Sequence, residues 1–356
     1  MTDLYEIPEH KAYPRERKRA IRTFSRAYLS VFVFLIFITA AVTAIQFGVL
    51  WLFGRSDGYA ILSSHYFTYA VQVIVVYIIG FPLFWVLNLG LERNYTPEKK
   101  MGFGTFLLYF MIAMFVMQAG ATIASFISGI IYVLLPSAGG TGGAVDSFVG
   151  GAPLWLIIPV VVVIGPIFEE LMFRKIMFDR LSTYGNRLAI LVTAVSFGLF
   201  HGNLEQFIYA TGIGIILGIV YSKTGRIRYP IFLHMLGNFF GVVPSLCIEF
   251  CNSQLANLAE GDPEFLTLTM IYGLITFVIS LLQTGLVIAG LVLFIVFLCK
   301  KKLFPKRECK IRLSGFTLFR AIFLNVGALL FLTYCLIEIV SQILLPVILA
   351  LIEGLI

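Results

Sequence analysis

Trp155-Leu156-Ile157-Ile158-Pro159-Val160-Val161-Val162-Val163-Ile164-Gly165-Pro166-Ile167-Phe168 is an unbroken apolar run, and Glu169-Glu170 follow it at once, with Arg174 four residues after Glu170. An ionisable group at bilayer depth is costly, so it marks a functional site by default. On a helix Glu170 and Arg174 are i,i+4 neighbours and can pair. Glu169 lies about 100° round the same helix and points elsewhere. One carboxylate is then neutralised structurally, and the other is left for chemistry.

Working outward, the composition sets the class. Hydrophobic residues are 59 % of the 356 residues, charged residues are 13 %, and the mean hydropathy is +0.95. A soluble domain of this size cannot bury so much apolar surface, whereas a polytopic membrane protein need not. A spanning helix takes roughly 20 residues. Nine runs fit: Ala27–Phe53, Tyr66–Gly90, Phe103–Leu135, Pro153–Phe178, Leu188–Leu204, Gln206–Ser222, Tyr229–Cys247, Phe265–Leu298 and Ala321–Leu351. The expected fold is an all-α polytopic bundle in the cell membrane. Its parts are a basic cytoplasmic tail at 1–26, flanking helices at 27–135, a core of four helices at 150–247, and further flanking helices at 265–356.

Lys and Arg orient the bundle. With the N-terminus in the cytoplasm, 25 of the 26 basic residues fall in inside segments and only Arg55 lies outside. This satisfies the positive-inside rule and puts the C-terminus outside. It also accounts for the net charge of +7 through loops facing the cytoplasmic leaflet, so that lipids and not nucleic acid are the expected charged partners. The clusters Lys11–Arg26 and Lys300–Arg312 read as topology signals. No cleavable signal peptide is read ahead of the first span. Five Cys show no metal spacing, and Cys247 and Cys251, four residues apart, read as two free thiols more readily than as a pair. The Gly-rich stretch Gly139–Gly151 lacks the Lys-Ser/Thr pair of a phosphate cradle and reads as an outer connector.

The core holds nearly all the intramembrane polar groups. Of four His, two lie inside apolar runs. His201 follows Phe197 by four residues, and His234 precedes Asn238 by four, so each pair shares a helix face. Such groups must face protein or a water-filled cavity, and one cavity between spans four, five and seven satisfies them all. Helical rise places Glu169 about 18 Å and His201 about 20 Å from the cytoplasmic side, with His234 only ~6–8 Å deep. That offset suggests a cavity opening toward the cytoplasm. Two His and two Glu are a set that zinc accepts, yet the His-Glu-x-x-His spacing is missing and Glu170 is committed to Arg174. No metal and no cofactor are expected. Glu338 in the last span reads as a packing or bend partner.

Glu169-Glu170-x-x-x-Arg174, Phe197-x-x-x-His201 and His234-x-x-x-Asn238, in that order, resemble the CPBP family (CAAX protease and bacteriocin-processing, also called Abi), which includes the type II CAAX prenyl endopeptidase. The resemblance covers roughly residues 150–245. It implies a glutamic intramembrane endopeptidase that cuts peptides near the cytoplasmic face. Glu169 would activate a water shared with His201, Glu170 would pair with Arg174, and His234 with Asn238 would stabilise the oxyanion. The implied substrates are peptides or proteins that are prenylated or membrane-embedded. Two other classes compete. One is a non-enzymatic immunity or scaffold protein of the same fold, and the other is a proton-coupled transporter, against which the lack of internal repeats argues.

Overall fold

The structure, a computed structural model, describes residues 10–11, 13–94, 98–135, 152–253, 263–306 and 308–353. The Gly139–Gly151 stretch lies outside the described residues. Among the described residues ten helices follow one another: α1 Pro14–Leu62, α2 His65–Leu87, α3 Phe103–Leu134, α4 Trp155–Tyr184, α5 Asn186–Phe200, α6 Leu204–Thr224, α7 Arg228–Ser253, α8 Pro263–Cys299, α9 Gly315–Ile322 and α10 Val326–Glu353. Eight of them are long and apolar enough to cross a membrane. The protein is an all-α, multi-pass membrane bundle.

The fifth expected crossing is shorter than the sequence suggested. α5 has 15 residues, which at helical rise is about 22 Å against a hydrocarbon core of ~30 Å. The chain turns back at His201–Asn203, and Asn203 caps α6 by accepting a hydrogen bond from the Gln206 amide at 2.8 Å. The apolar run ends early because Gly202 takes a positive φ of 69° and Asn203 supplies a capping oxygen. The α5–α6 hairpin therefore turns within the thickness of the bilayer. Gly198 permits the close approach of its two arms: a methyl there would collide with the Thr211 hydroxyl and lie 2.6 Å from the Phe207 carbonyl.

The basic residues from Arg15 to Arg26 are the first turns of α1 and not a detached tail. Arg26 donates to the carbonyls of Leu87 and Leu89 at 2.7 Å each, tying α1 to the end of α2. The segments assigned to the cytoplasm meet on one side. His10–Lys11 (β1) pairs in parallel with Ile311–Arg312 (β2), Arg187 donates to the Pro305 carbonyl, and Lys223 donates to the Lys302 carbonyl. This meeting agrees with the sidedness read from charge.

α6 sits centrally, against α5 on one flank and α3 on the other; α8 covers α3, and α10 packs along α1. α4 is irregular. The α-helical turn Gly165–Glu170 lies between two π-helical stretches, Ile158–Ile164 and Leu171–Phe178. Wide turns of this kind gather at functional sites.

Candidate active site

Glu170 is fully buried, and its Oε1 accepts two hydrogen bonds, from Arg174 Nη1 at 2.8 Å and from His234 Nδ1 at 3.0 Å. The expected i,i+4 ion pair is present and shut off from solvent at both ends. Leaving either charge alone there would cost several kcal/mol, of order 3–5. Arg174 is held further by its Nη2, which donates to the Gly214 carbonyl at 3.1 Å, and by the Phe197 ring 4.8 Å from its Cζ. Gly214 makes that approach possible, since a Cβ there would lie 3.1 Å from the Ala194 backbone and 3.3 Å from Arg174 Nη2.

Glu169 points into a cavity instead of into this network. Its side chain is 21 % exposed, and Oε2 lies 3.6 Å from His234 Nε2. The two ring nitrogens of His234 therefore face the two carboxylates, Nδ1 toward Glu170 and Nε2 toward Glu169. The sequence reading gave His234 only an oxyanion role; the structure adds an anchor, because the Glu170 bond fixes the plane of the ring. His201 stands in the turn after α5, not within the helix, and its Nδ1 lies 2.8 Å from the Phe197 carbonyl. A carbonyl only accepts, so Nδ1 carries the proton and Nε2 keeps its lone pair. Phe197 meets both imidazoles edge-on, at 4.9 Å for His201 and 5.5 Å for His234. The aromatic of the second motif thus spaces the two rings.

Asn238 donates through Nδ2 to the Val161 carbonyl at 2.9 Å. The backbone explains why that carbonyl is free. Around Gly165 the bonding is π-type, with the Gly165 N–H reaching Val160 O. The next bond in that register would run from residue 166 to Val161 O, but residue 166 is proline and has no N–H. Asn238 supplies the missing donor and keeps its second amide N–H uncommitted.

Glu169, His201, His234 and Asn238 all line one cavity of about 630 Å³, the convergence that the order and spacing of the motifs predicted. Among the described residues, no three His, Cys, Asp or Glu side chains gather as a metal site would need. The lining also includes groups that the sequence did not single out: Tyr77, Glu205, and the carboxamides of Gln72, Gln118, Gln206 and Gln283. Lone Gln residues in apolar runs were the signal, but Gln46 is another and lines a different pocket, so the residue type alone gives no direction.

The cavity does not run the way the depth offset suggested. On α4 its lining extends from Glu169 back to Val161, on α7 from His234 on to Ser245, on α6 from Ile213 back to Glu205, and on α3 from Met114 on to Ala121. On all four helices the stripe leads away from the cytoplasmic ends. Cytoplasmic to Glu169, by contrast, Phe173, Arg174, Met177, Phe178 and Leu181 are at most 1 % exposed. The carboxylate sits at the inner end of the cavity.

Comparison with known proteins covers the same part of the chain. Residues 151–240 match the family described as type II CAAX prenyl endopeptidase Rce1-like. This segment is thus similar to the CPBP family, as the three motifs suggested. The matched segment ends at Phe240, just beyond Asn238, and so contains every residue of the three motifs. The chain is 31 % identical over 149 residues to the "Putative membrane peptidase YdiL" of Bacillus subtilis, covering 42 % of this chain and 60 % of that protein. It is 38 % identical over 111 residues to the "Membrane-embedded CAAX protease MroQ" of Staphylococcus aureus, covering 29 % of this chain and 43 % of the relative. No solved structure matches significantly.

Proposed function

We propose that this protein is an intramembrane glutamic endopeptidase that hydrolyses a peptide bond in a membrane-associated peptide. The observation that carries the reading is the division of labour between adjacent carboxylates: Glu170 is buried against Arg174 and His234, while Glu169 faces the cavity shared with both imidazoles. A pair that merely snorkelled to the interface would not be split in this way.

In this mechanism Glu169 takes a proton from a water whose second hydrogen is held by His201 Nε2. The water oxygen attacks the scissile carbonyl carbon. The oxyanion receives the second N–H of Asn238 and a proton-bearing Nε2 of His234, whose ring is held by Glu170. Preorganised donors of this kind are worth ~3–4 kcal/mol each in a dry site. The intermediate collapses as Glu169 returns its proton to the leaving nitrogen. Water is consumed, an acid and an amine are formed, and no Ser or Cys nucleophile is needed. Arg174 keeps Glu170 charged and in place without touching substrate.

The relatives' names, a membrane peptidase and a membrane-embedded CAAX protease, support a peptide substrate at the membrane. The test is cleavage of a quenched membrane-peptide panel, with and without a prenylated C-terminal Cys, by purified protein and by Glu169→Gln. Cleavage by the wild type alone, persisting in strong chelators, supports the proposal. A wild type that cuts nothing across the panel, yet complements a deletion no better than Glu169→Gln does, would favour the scaffold reading. Proton-coupled uptake into vesicles would favour transport.

A further inference from the structure

The direction of the cavity, together with the carboxamides along it, has no role in the chemistry just described. Beyond Glu169 the space continues as an arm between α3, α4, α6 and α7. Its far lining approaches the ends opposite to the basic loops. Gln72 is seven residues inside the start of α2, about 10 Å, and Ser245 is eight residues before the end of α7, about 12 Å. Glu205 and Gln206 lie in the first turn of α6, just after the hairpin. Among the described residues, no Lys or Arg lines the cavity.

Four carboxamides from four different helices, Gln72, Gln118, Gln206 and Gln283, reach this one space. Their number is informative, since the whole chain has seven Gln. Among the described residues, the side chains of Gln118, Gln206 and Gln283 make no hydrogen bond, and Gln72 Oε1 is buried without a partner. Polar groups at membrane depth are normally satisfied by protein or water. A carboxamide both donates and accepts, as a backbone peptide group does. An extended peptide exposes both of its backbone groups to the side, whereas a helical one has already used them within itself.

We infer that the substrate reaches Glu169 from the side of the membrane opposite the cytoplasm, as an extended peptide segment whose backbone groups bond to Gln118, Gln206 and Gln283. The inference rests on the peptidase reading and adds to it the side of access, the substrate's conformation and the residues that hold it. The absence of Lys and Arg from the lining, with Glu169 and Glu205 present, makes the arm unfavourable to acidic side chains and open to neutral or basic ones.

The decisive experiment measures access without requiring activity. Gln206→Cys and Ser245→Cys are made in a background whose five Cys are replaced, and a charged, membrane-impermeant maleimide is applied to intact cells and to inverted vesicles. Arg55→Cys, exposed near the outer end of α1, and Lys300→Cys, exposed in the turn after α8, report the outer and inner faces. Labelling of both arm positions from the same side as Arg55→Cys supports the inference. Labelling only from the side of Lys300→Cys, or from neither side, overturns it, even if the enzyme proves to be a peptidase. On a cleaved peptide, the double variant Gln206→Leu/Gln283→Leu should raise KM at least five-fold with kcat within two-fold. N-methylating the contacted substrate amides should weaken the wild type and not the variant. An unchanged KM, or equal N-methyl penalties in both proteins, removes the backbone-binding role.

Discussion

The core and the flanks of this bundle obey different rules. In α6 and α7, half of the most apolar window is buried inside the protein; in α8 and α10 the figures are 6 % and 11 %. The flanking helices meet lipid on most of their surface, and lipid asks only that a side chain be apolar. The core helices meet one another, where charge, shape and backbone must all agree. Hydrophobicity is thus highest where the chain does least, in α8 and α10. The outermost flank still reaches the site: Gln342 on α10 donates to the Gly202 carbonyl at 3.2 Å, beneath the turn that carries His201. Glu338 lies on the same face, half-buried against that turn, in a packing position.

The contrast can be broken at graded points. The largest effect is expected for Glu169→Gln, which should lower peptide cleavage by about 10³-fold or more while leaving the thermal midpoint within a degree or two, because the side chain keeps its shape and lies at a cavity wall. Arg174→Ala should act the opposite way. It leaves Glu170 buried with a single partner and should cost ~3–5 kcal/mol, read as lost expression or a large fall in thermal midpoint in detergent. Equal stability of these two variants would break the proposed split between carboxylates.

Asn238→Ala removes the proposed oxyanion donor and should cut kcat by about 10²-fold with KM nearly unchanged. Gly198→Ala pushes α5 from α6 and should destabilise by ~1–3 kcal/mol, with some loss of activity as His201 shifts. Least of all, Leu345→Ala on the exposed face of α10 should change stability by no more than ~0.5 kcal/mol and leave activity intact. A large effect at Leu345 would show that this flank has a protein partner in place of lipid.

Much of this was legible from sequence because membrane helices announce themselves by length and polarity. The Glu170–Arg174 pair followed from a spacing of four, and the meeting of Glu169, His201, His234 and Asn238 followed from the need to hide polar groups from lipid. What was hidden depended on local geometry. The length of α5 was misjudged because Leu199, Phe200 and Leu204 continue the apolar run across a turn made by Gly202 and Asn203. The course of the cavity was misjudged because His234 was measured from the start of α7, while its neighbours showed which end was filled. The bond between His234 and Glu170 joins residues 64 apart, and no periodicity reports it.

Pro166 makes one further point about how such a site is specified. Its ring nitrogen cannot offer hydrogen, so the oxygen of Val161 is shared with a different helix, and an amide lining the cavity gains a fixed bearing. The aim of Asn238 is therefore written in what a distant imino acid lacks, not in what it touches. Any ordinary amino acid at position 166 would hand Val161 back to its own helix and leave that amide to rotate, so a change that looks helix-strengthening would weaken the proposed cleavage.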